Sequence, residues 1–150
     1  MPDYAGSLID HLNIAVPDLA RSLAFYEPVL ATLGITKLLR VPAGPGQLEM
    51  HGFGRHPKPF FWLVADGRVG DDMHLAFTAA DRDTVCAFYD AALAAGATSL
   101  LPPGLRPEYQ PDYYGAFVLD PDGINLEAVC HHGGPPVNPI VEEPGENRGS

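Results

Sequence analysis

The sequence predicts an α+β fold built from two tandem βαβββ modules, and three observations carry that prediction. First, two stretches repeat each other in register. Asp10-His11-Leu12-Asn13-Ile14-Ala15-Val16-Pro17-Asp18 runs on to Phe25-Tyr26 and Leu30, and Asp72-Met73-His74-Leu75-Ala76-Phe77 runs on to Asp81, Phe88-Tyr89 and Leu93. The separation is 63 residues from His11 and His74 through Leu30 and Leu93, and slips to 62 at Gly34 and Gly96. Second, apolar spacing in each half changes from period two to helical and back to short strands. Third, Pro, Gly and Asp clusters punctuate these changes. A unit duplicated at this length implies a pseudo-symmetric fold with a histidine at equivalent places in both halves.

The elements follow in order. Residues 8–16 read as a strand with Leu12, Ile14 and Val16 on one face and His11, Asn13 and Ala15 on the other. Asp18 caps a helix through Leu19, Leu23, Phe25, Tyr26, Val29, Leu30 and Leu33, ending near Gly34. Pro28 interrupts that helix and predicts a kink or a tightened turn. Strands are expected around 37–41, 48–52 and 60–64, separated by segments such as Pro42-Ala43-Gly44-Pro45-Gly46. In the second half, residues 73–78 form a strand with Met73, Leu75 and Phe77 opposite His74 and Ala76. Asp81 or Asp83 caps an alanine-rich helix to Ala95, which Gly96 closes. Strands near 98–101, 115–119 and 124–129 follow, the last two joined by the turn Asp120-Pro121-Asp122-Gly123. In both first strands the apolar face should pack on the following helix, leaving the histidines on the opposite face. The expected domain spans residues 1–132, with modules at about 8–66 and 72–131, and residues 133–150 form a Pro/Gly/acidic tail expected to be flexible.

Composition bounds the function classes. Of the 150 residues 46% are hydrophobic and 19% charged, ordinary for a globular chain apart from the low charge. No apolar run is long enough for a bilayer and no secretory-type N-terminus is seen, so a cytoplasmic protein is expected, without membrane partners. The formal net charge of −10 argues against nucleic acid, whose phosphates need Lys and Arg. Cys86 is expected as a small buried residue, and a disulfide to Cys130 has no support in the sequence.

Aligning the last strands of the halves sets Phe60-Phe61-Trp62-Leu63-Val64 against Asn125-Leu126-Glu127-Ala128-Val129. A carboxylate buried among apolar neighbours is costly unless paired, hydrogen-bonded or metal-bound. Single strand histidines are commonly hydrogen-bonded core residues, and Glu127 alone fits a solvated edge. Together, His11, His74 and Glu127 supply two imidazoles and one carboxylate, a set suited to Fe, Mn, Ni or Zn as a divalent ion with open positions. Trp62 and Phe60 share a face by alternation and would form an apolar wall. His51 is a candidate acid/base for the pocket, whereas His56, His131 and His132 read as surface residues. Residues 103–114 form a proline-stiffened loop with Arg106, Tyr109, Tyr113 and Tyr114, residue types common at binding surfaces. Arg106 suits a carboxylate or phosphate group of a ligand.

The chain resembles the vicinal oxygen chelate superfamily, which includes glyoxalase I, extradiol dioxygenases, fosfomycin-resistance enzymes and bleomycin-binding proteins. The resemblance rests on Ile9-Asp10-His11-Leu12-Asn13-Ile14-Ala15-Val16 with Ser22 and Phe25-Tyr26, His74-Leu75-Ala76-Phe77 with Phe88-Tyr89, Ala116-Phe117, and Asp120-Pro121-Asp122-Gly123-Ile124-Asn125-Leu126-Glu127. It implies two βαβββ modules forming a curved mixed sheet around a pocket, with helices outside, and metal ligands on the first and last strands of each module. His11, His74 and Glu127 fall on three of those four positions, while Trp62 stands where glyoxalase-like members carry a glutamate. The remaining set is the one extradiol dioxygenases use for iron. Those enzymes carry a tyrosine on the strand before the Asp-Pro turn, where this chain has Ala116-Phe117-Val118-Leu119. Residues 103–114 also resemble a loop of many bacterial members.

The resemblance implies a divalent-metal-dependent enzyme acting on a small molecule with vicinal oxygens, by lyase, isomerase or dioxygenase chemistry. The alternative is a metal-free, antibiotic-sequestering binder of the bleomycin-resistance type, suited to a small cationic ligand; a third is a purely structural or partner-binding role. A homodimer is expected, since some members build the pocket across chains.

Overall fold

The computed structural model describes residues 9–131; the expected start of the first strand at residue 8, His132 and the tail at 133–150 lie outside the described residues. The first module comprises β1 (Leu12–Ala15), α1 (Leu19–Ala31), β2 (Thr36–Val41), β3 (Met50–Arg55) and β4 (Lys58–Val64). The second comprises β5 (His74–Thr78), α2 (Arg82–Ala94), β6 (Thr98–Leu105), β7 (Tyr114–Leu119) and β8 (Asn125–Cys130). Each forms a four-stranded mixed sheet with the same order, β1-β4-β3-β2 and β5-β8-β7-β6, the first pair parallel and the others antiparallel. The fold is α+β with two tandem βαβββ modules, as the repeat requires.

The repetition extends to fine detail. Asp18 accepts a hydrogen bond from the Arg21 amide at 3.0 Å, and Asp81, rather than Asp83, accepts one from the Thr84 amide at 2.8 Å. At the helix C-termini, Gly34 and Gly96 adopt φ of 75° and 101°, and the following amides of Ile35 and Ala97 bond back to Leu30 and Ala92 carbonyls. The helix α1 runs through Pro28, and its end tightens into short-range bonds from Thr32, Leu33 and Gly34 to Val29, Leu30 and Ala31. A register shift lies between Lys37 and Leu39 in one sheet and between Ser99 and Leu101 in the other. Residues 103–105, expected as loop, continue β6. This is an edge strand, where Pro102 and Pro103 sit at a second register shift and remove no central ladder bond.

One apolar cluster spans both modules, with Ile14, Phe25, Leu30 and Phe61 from the first and Phe77, Phe88, Ala116 and Leu126 from the second. The modules meet through their helices, α1 against α2, and through Phe61 edge-on to Phe77 at 5.5 Å between centroids. At the same boundary the buried Tyr26 hydroxyl donates to Asp120 Oδ2 at 2.6 Å, and Arg21 and Ser22 donate to Asp122. Among the described residues no hydrogen-bonded ladder joins the two sheets. No disulfide links Cys86, half-buried against the Tyr114 hydroxyl, to buried Cys130. Among the described residues no helix is long and apolar enough to cross a membrane.

Burial, and then Asp120, push the Tyr26 phenol well above the usual tyrosine range. The folded state therefore holds this proton more tightly than the unfolded chain, whose tyrosines titrate near about pH 10. That stability is complete below about pH 10 and is lost as pH rises above it. Tyr26→Phe should cost about 1–3 kcal/mol at neutral pH, because Asp120 loses a buried donor. It should also flatten the alkaline fall in melting temperature. An unchanged alkaline slope would refute the assignment.

Candidate functional site

The second sheet brings together two of the residues that the repeat singled out, His74 and Glu127. Glu127 lies in β8 opposite Ala76 of β5 and Phe117 of β7, and is only 1% exposed despite its charge. Each oxygen of its carboxylate has a close partner. His74 Nε2 lies 3.0 Å from Oε1, and the Tyr113 hydroxyl donates to Oε2. Gly115 makes room for this pair, since a Cβ there would come within 3.1 Å of Glu127 Oε2 and 3.3 Å of the Tyr113 ring. Burial, followed by the Glu127 carboxylate, pushes the Tyr113 phenol above its usual range, so it remains a donor at neutral pH.

The tautomer of His74 follows from its partners. Its Nδ1 is 3.1 Å from the Asn125 carbonyl oxygen, which can only accept, so Nδ1 carries the hydrogen. Nε2 and Glu127 Oε1 are then two electron-pair donors facing each other, an arrangement that calls for a shared proton or a cation between them. A metal-ligating imidazole is characteristically held this way, its other N–H tied to a carbonyl or carboxylate. The His74 ring also stacks on Phe117 at 6.0 Å and 18°.

His11 precedes β1 and is tied off in the same sense. Its Nδ1 is 2.7 Å from Asp10 Oδ2, and Lys58 Nζ donates to Asp10 Oδ1 at 2.7 Å. The Lys58 contact, then that of His11, holds the Asp10 carboxyl below the usual carboxylate range. Both histidines thus direct Nε2 away from an occupied Nδ1. Both are also accessible, with side-chain exposures of 54% for His11 and 46% for His74.

A cleft of about 320 Å³ opens on the first sheet, lined by His11, Asn13, Met50, Lys58, Pro59 and Trp62. Strand register sets Trp62 opposite Asn13 as Glu127 is set opposite Ala76, so the two are structural equivalents. The indole lies over Gly52, where a Cβ would fall 2.7 Å from its ring. Phe60 is half-buried and packs on the core rather than lining this cleft. His51 shares the face of Phe53 and pairs with Leu63, both core residues. It is buried on the helix side of the sheet, 3.0 Å from Glu49, and does not reach the cleft.

The loop after β6 folds toward Glu127 through one residue in particular. Tyr113 touches the carboxylate, flanked by Tyr109 at 5.0 Å and His131 at 5.2 Å between ring centroids, and His131 also meets Gln110. Tyr114 points to the other face, its hydroxyl near Cys86 Sγ and its ring beneath Arg82. Arg106 bonds the Pro102 carbonyl at 2.5 Å and stays with its own hairpin. His56 is exposed in the turn after β3.

Sequence reasoning passed over Asn13, Met50, Lys58 and Pro59. Strict alternation could not have assigned Lys58 and Pro59, because a register shift between β3 and β4, where Phe53 meets Phe61 and Gly54 meets Pro59, separates them from Trp62. Among the described residues, no three His, Cys, Asp or Glu side chains come together within one chain. His11 belongs to the open face of one sheet, and His74 with Glu127 to that of the other.

The family model of the Glyoxalase/Bleomycin resistance protein/Dioxygenase superfamily matches residues 8–128. Among solved structures, a glyoxalase/bleomycin resistance protein from Albidiferax ferrireducens T118 is 30% identical, over 83% of this chain and 98% of that one, with a TM-score of 0.65. A glyoxylase/bleomycin resistance protein/dioxygenase domain from Frankia sp. EAN1pec is 20% identical, covering 85% of this chain and all of that one, with a TM-score of 0.63. A glyoxalase I mutant from Zea mays is 22% identical over 81% of this chain and 46% of that one, with a TM-score of 0.64. No curated protein matches the chain.

Proposed function

Because this chain belongs to the Glyoxalase/Bleomycin resistance protein/Dioxygenase superfamily, we propose that it is a divalent-metal-dependent enzyme acting on a small molecule with vicinal oxygens. In this proposal it works in the cytoplasm as a homodimer. The metal is held by His11 of one chain together with His74 and Glu127 of a second copy. The observation that carries this reading is the paired orientation of the histidines. Each spends Nδ1 on an oxygen acceptor, Asp10 or Asn125, and leaves Nε2 for a cation, with buried Glu127 beside one of them.

The donor set fits Fe, Mn, Ni or Zn as a divalent ion, with positions left for substrate. When bound, such an ion would polarise two neighbouring substrate oxygens as a Lewis acid and favour an enolate or related oxyanion. The chain's own residues do the rest. Asn125 and Asp10 orient the imidazoles, Tyr113 holds the second oxygen of Glu127, and Trp62 supplies an apolar wall where a fourth ligand would otherwise stand. Whether lyase, isomerase or dioxygenase chemistry follows depends on the substrate.

Titration of the purified protein, free of a histidine tag and chelator, with these four ions should show stoichiometric binding at neutral pH, lost in His11→Ala. The absence of binding would favour the second reading, a metal-free, antibiotic-sequestering protein. The contacts of Glu127 with both His74 and Tyr113 support that alternative, because they satisfy the buried carboxylate by hydrogen bonds alone.

A further inference from the structure

We propose that the cleft of the first module is the subsite for an aromatic carboxylate, its anionic group held by Lys58 and its ring laid against Trp62. The inference deepens the proposed function, since it assigns the substrate class of the site to which His11 belongs.

Three features of the cleft converge on such a group. The first is a fixed cation. Lys58 lines the cleft and Asp10 does not, yet the ammonium is anchored to Asp10 at 2.7 Å. One of its three N–H groups is directed to Asp10, and the other two suit a carboxylate through charge-assisted hydrogen bonds. The second is a flat apolar wall. The Trp62 indole is seated on Gly52, a position any side chain would obstruct, and Met50 and Pro59 extend the apolar lining. A pre-positioned aromatic surface suits stacking with a substrate ring. The third is size: about 320 Å³ has room for a single ring with a short polar substituent. Asn13 adds an amide able to meet a neutral oxygen.

The chain as a whole carries a net charge of −10, which at long range favours cations over anions. Selection of an anion here must therefore come from directed N–H donors of Lys58, the lysine or arginine in the lining, whose charge Asp10 partly offsets.

Trp62 is the chain's single tryptophan, so its fluorescence reports directly on this cleft. The full-length protein is titrated with benzoate, benzamide and benzylammonium, which share a ring and differ in charge. Titrations are run with chelator present, so that no metal contributes to carboxylate binding, and repeated in metal-loaded protein. Benzoate should bind at least about tenfold more tightly than benzamide. Lys58→Met should bring that ratio to about one while leaving benzamide binding in place, and Lys58→Arg should keep most of the preference. Circular dichroism and melting of each variant check the fold, and Lys58→Gln replaces the methionine variant if that one does not fold.

Equal binding of benzoate and benzamide by the parent protein overturns the proposal. So does a preference that survives Lys58→Met or Lys58→Gln, a tightest fit for benzylammonium, or no Trp62 response to any probe. If the Lys58-dependent preference appears but no metal binds, the subsite stands and the metal-enzyme reading falls. If metal binds but the preference is missing, the subsite alone falls.

Discussion

Mixing His11→Ala chains with Glu127→Ala chains is expected to restore metal binding that neither variant shows alone. In a homodimer of His11→Ala both sites lack an imidazole, and in one of Glu127→Ala both lack the carboxylate. In a mixed dimer, His11 from the Glu127→Ala chain faces intact His74 and Glu127 of the other chain, so one complete site forms. The second site carries both lesions. With free exchange and equal amounts, half the dimers are mixed, giving roughly a quarter of a metal equivalent per chain. The expectation comes from geometry. Within one chain the two modules meet through α1 and α2, and no three metal-ligating side chains converge among the described residues. Unfolding and refolding the mixture, then measuring bound metal after removal of excess, provides the readout. A mixture that remains metal-free while the parent protein binds metal would place the site within a single chain.

Gly54→Ala is expected to have the largest effect on stability. Gly54 lies in β3 opposite Pro59 of β4, beside the register shift that follows Phe53. A Cβ there would fall 1.9 Å from the Lys58 carbonyl oxygen and 2.7 Å from the Pro59 Cα. These obstacles are backbone atoms, so no rotamer change relieves them and the hairpin itself must move. The cost should be roughly 3 kcal/mol or more, at the upper end of single substitutions, and should lower the melting temperature by about 10 °C. Because Lys58 and Pro59 line the cleft, ligand-dependent Trp62 fluorescence should weaken as well. Gly44→Ala is the control: nothing lies within 4 Å of its added carbon, and stability should change by no more than about 0.5 kcal/mol. Melting of Gly54→Ala within about 2 °C of the parent protein would contradict the account.

Legibility in the sequence varied with the range of the interaction concerned. Helix caps were readable because Asp18 and Asp81 act on amides three residues away. The equivalence of Trp62 and Glu127 was readable because the duplicated strands keep one register against β1 and β5. The extent of β3 was not: residues 48–52 were expected and Met50–Arg55 observed. Gly52 and Gly54 look like strand breakers, but one makes room for the Trp62 ring and the other for the β4 backbone. His51 was a pocket candidate until the pairing with Leu63 placed it on the core side. The aromatic loop was equally divided by its fold: Tyr113 turns to Glu127, while Tyr114, next to it on a strand, turns to α2.

The sequence by itself determined the duplicated βαβββ plan, the positions of its caps and turns, and the broken symmetry between Trp62 and Glu127. These depend on periods and spacings within each module. Only the tertiary structure decided that His11 and His74 occupy separate open faces, that Lys58 enters the cleft, and that Tyr113 reaches Glu127. Alternation along a strand says which side chains share a face, but not what that face meets. That choice was made by contacts distant in sequence, Phe61 on Phe77, Tyr26 on Asp120 and α1 on α2, whose shapes have no local signature.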